Sequence, residues 1–401
     1  MGLSRRFQNL VVDTPHMAQL FGNTAARTPS TIGDGSDSAQ VQHHSTSQTW
    51  AAGSSNPKKN AQAAAADFKM ERIRLPRPIS RFHADPNEPG RIDCFPFADR
   101  KTMWADHLGR PFVFDAEARQ LDIMPCLHNP KSMPLSLFVP NPDVDNDFCN
   151  CGLGSTLFVM ERIPKLEMNC TTRLSGQFEA LVYCNPTVRT PFSKLWEWRL
   201  LPPPPYVRES KHWHGSTQPE ISSYALLHVA GDPHICISVK SVGTYCLDTV
   251  THAWTKVGNW TLPFHGKVEY VPEIKLWFGF TADAQHLAAA DLSAMDMDSQ
   301  PQLVTAPWKE LVNLPEEWKE CKESQLVNLG SGRFCVTRFF HRLNGGDSGG
   351  QNHKNVAVFT GVEVVPCVHG ANEGSGKVQL QMILHKSLCH NSNFTTIDAV
   401  L

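Results

Sequence analysis

The chain is 401 residues long and carries 37 Lys and Arg against 39 Asp and Glu, a formal net charge of -2. So even a balance sets up no global field for nucleic acid or anionic lipid, and neither is expected as a partner. The 29 prolines, 26 glycines and 10 tryptophans, with few stretches suited to long helices, predict an all-β chain of short strands joined by turns.

In chain order, the first predicted element is a strand over Arg5 to Asp13, where an apolar β-prone run follows basic residues and precedes an acid. The arginine pair also suits a transit peptide, but Asp13 and the lack of a further arginine series oppose that reading. From Gly22 to Ala66 the sequence turns to Ser, Thr, Ala, Gly, Gln and Asn. So little apolar surface cannot offset the ordering entropy, so this stretch is expected to be disordered and dispensable for folding. From Lys69 onward short apolar runs alternate with Pro and Gly to the end. The domain reading is therefore 1–21, an N-terminal strand able to close a ring; 22–68, a disordered low-complexity linker; and 69–401, a single β domain.

Repetition gives that domain its architecture. Phe112 to Asp115 is followed six positions after the aspartate by Leu121, and Tyr245 to Asp248 is followed at the same spacing by Trp254. In a β-meander the Asp caps a tight turn and the large residue opens the next strand, packing between sheets. Looser strand pairs are expected at Leu157 to Met160 with Phe178 to Tyr183 and Trp196 to Trp198, and at Val268 to Val271 with Leu276 to Phe280. Leu326 to Leu329 with Phe334 to Phe340, then Val356 to Val365 and Val378 to Leu384, complete the series. Roughly 330 residues divide into six or seven units of about 45–50, the size of a propeller blade. Two packed β-sandwiches are the rival architecture, opposed by the lack of any linker-like break after Ala66. Closure of the ring is expected from Phe7 to Val12 pairing beside strands from Val356 to Leu384, with Phe7, Leu10 and Val12 supplying apolar contacts.

Several of these stretches resemble one family. Arg5 to Asp13, Phe112 to Leu127 with Pro130 and Lys131, Trp198 to Val207, Gly243 to Val250, Leu262 to Gly266 with Glu269 to Pro272, Leu276 to Gly279 and Leu329 to Cys335 are similar to a plant family, numerous in cereals, known as domain of unknown function 1668. The resemblance covers nearly the whole chain outside 22–66. It implies a kelch-like repeat fold, a β-propeller, and it brings no catalytic residues to carry over. The Ser/Ala/Gln-rich insert is longer than the link expected of the family.

Functional signatures are sparse. Twelve cysteines are scattered, with no cleavable apolar stretch before them and no run near the ~18–20 apolar residues of a membrane span. A soluble chain in the cytosol or nucleus, with reduced thiols and no membrane association, is expected. The glycosylation tripeptides at Asn169, Asn259 and Asn393 are expected to be unmodified. Cys149, Cys151, His212 and His214 could in principle surround zinc, but a C-x-C beside an H-x-H matches no structural zinc frame. Nucleophile-elbow, metalloprotease, P-loop and dinucleotide motifs are missing, and Leu329 to Phe334 reads as a hairpin turn rather than a phosphate loop. Pro202 to Pro205 before Tyr206 suits a polyproline ligand, yet inside the repeats it reads better as a rigid connection between blades. Trp196, Trp198, Trp254, Trp260, Trp277 and Trp308 read as wedges between sheets rather than a stacking series. Residues 1–66 hold too few apolar residues for an F-box, so a ligase-adaptor role is weakly founded.

No residue is assigned to catalysis, to a metal or to a cofactor, and no cofactor is expected. The function expected is that of a monomeric, non-catalytic adaptor propeller binding an unidentified protein. The alternative is a carbohydrate-active enzyme with paired carboxylates in the propeller channel, since any two of 39 acids could converge there.

Overall fold

A computed structural model describes residues 92–98, 101–140, 155–168, 172–183, 196–213, 218–229, 231–283, 285–295, 297–310, 314–342, 354–367 and 379–392, with the short pieces 6–7, 20–21, 70–73, 82–83 and residue 400. Three two-residue strands come first, β1 (Arg6–Phe7), β2 (Glu71–Arg72) and β3 (Phe82–His83). Five antiparallel meanders follow, in each of which strands adjacent in sequence are adjacent in space. Sheet one is β4 (Ile92–Pro96), β5 (Lys101–Asp106), β6 (Pro111–Asp115) and β7 (Gln120–Ile123); sheet two is β8 (Pro134–Val139), β9 (Thr156–Glu161), β10 (Ser175–Tyr183) and β11 (Trp196–Leu201). Sheet three comprises β12 (Ile221–Val229), β13 (Asp232–Val239), β14 (Gly243–Asp248) and β15 (Trp254–Gly258). Sheet four has β16 (Phe264–Val271), β17 (Leu276–Thr281) and β18 (Leu287–Ala290), extended by bridges from Leu287 to Trp308 and from Ala290 to Leu303. Sheet five is built from β19 (Trp318–Asn328), β20 (Arg333–Arg342), β21 (Lys354–Pro366) and β22 (Leu380–Ser392).

The aspartate spacing works as local chemistry. Asp115 Oδ1 accepts the N–H groups of Glu117 and Ala118, both at 2.9 Å, and the strand pair resumes at Asp115 opposite Gln120, with Phe114 then opposite Leu121. Asp248 Oδ1 accepts from Val250 at 2.8 Å and Thr251 at 3.2 Å, and Leu247 faces Trp254. A side chain that satisfies two turn donors makes the reversal cheap, which fixes the register of the next strand. The large residue after the turn behaves as expected only in the second copy. Trp254 lodges against Phe178 of the preceding sheet, whereas Leu121 is 51% exposed.

Apolar clusters then join each sheet to the next. Met103, Leu157, Leu181 and Trp198 pack between sheets one and two; Phe158, Phe178, Ile235 and Tyr245 between two and three. Cys246, Phe264 and Trp277 fill the gap between three and four; Phe278, Phe334 and Val362 that between four and five. Each fully buried side chain of this size contributes about 1.5–3 kcal/mol, so these clusters outweigh the connections as the source of stability. Tryptophans secure the wedges. The indole N–H of Trp198 donates to the Pro125 carbonyl at 2.8 Å, that of Trp254 to Pro202 at 2.9 Å, and that of Trp277 to Leu226 at 3.1 Å. A buried ring with its one polar atom satisfied is a core residue.

The first strands line one edge of the assembly. β4 lies beside β8 and β8 beside β12, β12 pairs in parallel with β16 through Ser223 to Ala225 against Gly266 to Val268, and β16 lies beside β19.

Two expectations differ from the structure. Five meanders are present among the described residues, against the six or seven units expected: long intervening segments and the 13-residue strands β21 and β22 use more chain per sheet than an even division assumes. Phe7 pairs with Phe82, in β1 against β3, and not with the last sheet; Leu10 and Val12 lie outside the described residues. The edge of β22 is instead met in parallel by Glu71 and Arg72. All of 22–68 lies outside the described residues.

Candidate functional site

Side chains from four sheets meet at the edge lined by the first strands. Arg162 immediately follows β9, and its backbone fixes its place: its N–H donates to Met133 at 3.0 Å and its carbonyl accepts from Ile221 at 2.9 Å. The guanidinium then reaches across the sheets. Nη1 and Nη2 donate to the two oxygens of Glu323 on β19 at 2.8 and 2.6 Å, a bidentate pair. Nε lies 2.8 Å from Glu220, just ahead of β12, a contact of charge without hydrogen-bond alignment. His265 of β16 completes the group, its Nε2 being 3.0 Å from Glu323 and 3.3 Å from Arg162 Nη2. Tyr224 is partly buried nearby, and desolvation, with the charge of Glu269, raises its hydroxyl far above the ordinary tyrosine range.

This arrangement fixes the protonation of Glu323. The hydrogen bond from His265, joined by those from Arg162, holds Glu323 down to about 2 against the opposing pull of burial. Its folded pKa is below the unfolded value of 4.5, so its stabilisation is present above that pH and fades as pH falls toward the folded value. The side chain is 51% exposed, and solvent screening limits the contribution to about 1 kcal/mol. Glu323→Gln is therefore expected to lose about that much near neutrality and to show a shallower acid decline, read by urea unfolding across the acid range; parallel profiles would show that the pair contributes nothing.

A second polar group stiffens the connection between sheets one and two. The fully buried Glu179 of β10 accepts the N–H groups of His128 at 2.9 Å and Asn129 at 3.2 Å, contacts His128 Nδ1 at 2.8 Å, and pairs with Lys131. Glu161 accepts Ser132 and Met133 N–H groups at 2.7 and 2.8 Å. Burial lowers the Lys131 ammonium below the ordinary lysine value even though Glu179 and Glu161 counter it. The whole loop is thus fastened to sheet two from inside.

The residues singled out in the sequence are dispersed. Cys149, Cys151 and His214 lie outside the described residues, and His212 contacts Glu209 at 3.1 Å. Among the described residues no three His, Cys, Asp or Glu side chains are grouped to hold a metal. Leu329 to Phe334 is the β19–β20 hairpin turn, with Gly330, Ser331 and Gly332 all at positive φ and Arg333 N–H donating to Gly330. Pro205–Arg208 forms a 3-10 turn in the connection from sheet two to sheet three, burying Tyr206 and Val207, so the proline run is not presented as a free ligand. Arg162, Glu220, His265 and Glu323 were not singled out: each is one polar residue, three of them at or near a strand end and Glu323 in the middle of β19, and only the register unites them.

Successive meanders of three or four strands, with their first strands side by side, define a propeller-like all-β protein. No described helix is long and apolar enough to cross a membrane. The chain belongs to the family described as "Protein of unknown function (DUF1668)", matched over residues 5–390. No curated protein matches it. Similar solved structures include an auxiliary nutrient binding protein from Bacteroides thetaiotaomicron, 8% identical over 71% of this chain and 54% of that one with a TM-score of 0.32. This chain thus spans about half the length of that protein. The β-propeller domain of Cps50 (Swd1) from Myceliophteria thermophila is 11% identical over 68% of this chain and 96% of that one, TM-score 0.27. Apo AztD from Citrobacter koseri is 12% identical over 66% and 70%, TM-score 0.30. These likenesses are too distant to bear on function.

Proposed function

We propose that the protein is a non-catalytic binding module, a kelch-like propeller that offers its loops to a protein partner. The observation that carries this reading is the state of Glu323 where four sheets meet. Hydrolysis by paired carboxylates requires one carboxyl kept protonated near neutrality by a raised pKa. Glu323 is displaced the other way, to about 2, and Arg162 contacts both Glu323 and Glu220. Such a cluster holds sheets in place. Each of the eight described cysteines is free, which favours a reducing compartment, the cytosol or nucleus, and we take the working form to be a monomer.

Affinity capture from the source tissue tests the reading, with Lys131→Met as the control in which the scaffold is weakened. Reproducible enrichment of one protein by the natural chain alone is expected. Failure to enrich any protein would contradict it, as would turnover in a screen of glycoside substrates.

A further inference from the structure

The far face of sheet five carries a built seat. Alternation along β20 and β21 turns Phe334, Val336 and Val362 toward sheet four and leaves Cys335, Phe339 and Phe359 on the opposite face. Leu20 lies on that face and is fully buried. Its place is a notch. β21 and β22 pair Thr360 with Ser387 and Val362 with Leu384, so Gly361 faces both His385 and Lys386 across a β-bulge. A Cβ on Gly361 would come within 3.0 Å of the Leu20 Cβ and 3.2 Å of its carbonyl oxygen, so the absent side chain is what admits Leu20.

Phe21 is gripped beside it. Its ring lies 4.8 Å from the His385 ring and 5.6 Å from the Arg333 guanidinium. Glu363 holds both jaws, accepting from His385 Nε2 at 2.9 Å and facing Arg333 Nε at 3.4 Å. Three strands therefore supply one clamp: Arg333 from β20, Glu363 from β21 and the bulge-directed His385 from β22. A cation over an aromatic face is a recognition contact with defined geometry, unlike plain apolar packing. Phe21 itself stays only partly buried, so the clamp is open to solvent on one side.

We propose that this seat is a docking site for a short protein segment presenting leucine followed by an aromatic residue, occupied in the free chain by its own Leu20 and Phe21. The occupant's chemistry is displayed by the segment already there: a branched aliphatic side chain for the Gly361 notch and an aromatic face for Arg333 and His385. The proposal rests on the binding reading above and gives that reading a surface and a partner chemistry. A partner segment would have to displace the internal one, which, being part of the same chain, competes intramolecularly.

The test uses the full chain and a fluorescent peptide of residues 14–26. Leu20→Ala/Phe21→Ala should empty the seat and bind the peptide at least tenfold more tightly than the natural chain, whose seat is filled. Adding Gly361→Leu to that variant should abolish binding, and a peptide with both residues changed to alanine should not bind. Equal binding to natural and emptied chains, or none to an emptied chain with an unchanged circular dichroism spectrum, overturns the proposal. Should the double variant fail to fold, Phe21→Ala alone is expected to bind at least threefold more tightly than the natural chain, and no difference overturns it equally. If the peptide fails while tissue partners are still captured, the seat is refuted and the binding reading stands; loss of both refutes both.

Discussion

Replacing Lys131 with methionine is expected to destabilise the fold by about 3–5 kcal/mol, the usual result of leaving a buried charge without its partner. Methionine is unbranched and one heavy atom shorter, so the cavity it leaves is small and the loss reports mainly the removed charge and its hydrogen bonds. Glu179 would keep the N–H donors of His128 and Asn129 but no cation, in surroundings where neither side chain of the pair is more than 2% exposed. Changing Glu179 to glutamine in the Lys131→Met background removes the stranded charge and preserves an acceptor, and should restore most of the stability. Urea unfolding at neutral pH measures both. A loss below about 1 kcal/mol for the single variant, the range of exposed pairs, would mean that Glu179 is hydrated and that the loop is not fastened from inside.

Arg338→Met should cost a similar amount for a related reason. Arg338 pairs through Nε with the fully buried Glu310, donates from Nη1 to Glu320 at 2.7 Å and from Nη2 to the Gln285 carbonyl at 2.6 Å, and lies over Phe280. Glu310 Oε2 has no hydrogen-bond partner even now, so removing the guanidinium strands a carboxylate already short of donors. About 3–5 kcal/mol is again expected. Arg338→Lys is the sharper variant, because an ammonium supplies charge without the planar fork that reaches three acceptors. It should still lose roughly 1–3 kcal/mol, and full retention of stability by lysine would show that charge alone suffices.

Much of the strand pattern was legible because the turns announce themselves. The Asp spacing located β6, β7, β14 and β15, and runs such as Phe334 to Phe340 and Val356 to Val365 fall inside β20 and β21. β12 escaped notice for a definite reason. Its buried face is Ile221, Ser223, Ala225 and Leu227, where two small residues weaken the apolar signal while Tyr224 and Leu226 strengthen the other face. The unit count was the less legible part because connections differ in length from sheet to sheet, and five meanders are present among the described residues. Arg162, Glu220, His265 and Glu323 are illegible in sequence: they stand tens of residues apart, and a lone polar residue in or beside a strand is ordinarily a solvated one. The same holds for the seat at Gly361, whose bulge exists only through the register of β21 against β22.

The most direct test of a non-catalytic inner edge is the titration of Glu323 itself, followed through its carboxyl carbon by NMR with Glu323→Gln to assign the signal. A midpoint near 2 is expected, with the carboxylate ionised throughout the range in which the protein works. A midpoint at or above the unperturbed 4.5 would contradict the joint formed by Arg162, His265 and Glu323, and would return the paired acids to consideration as a catalytic pair.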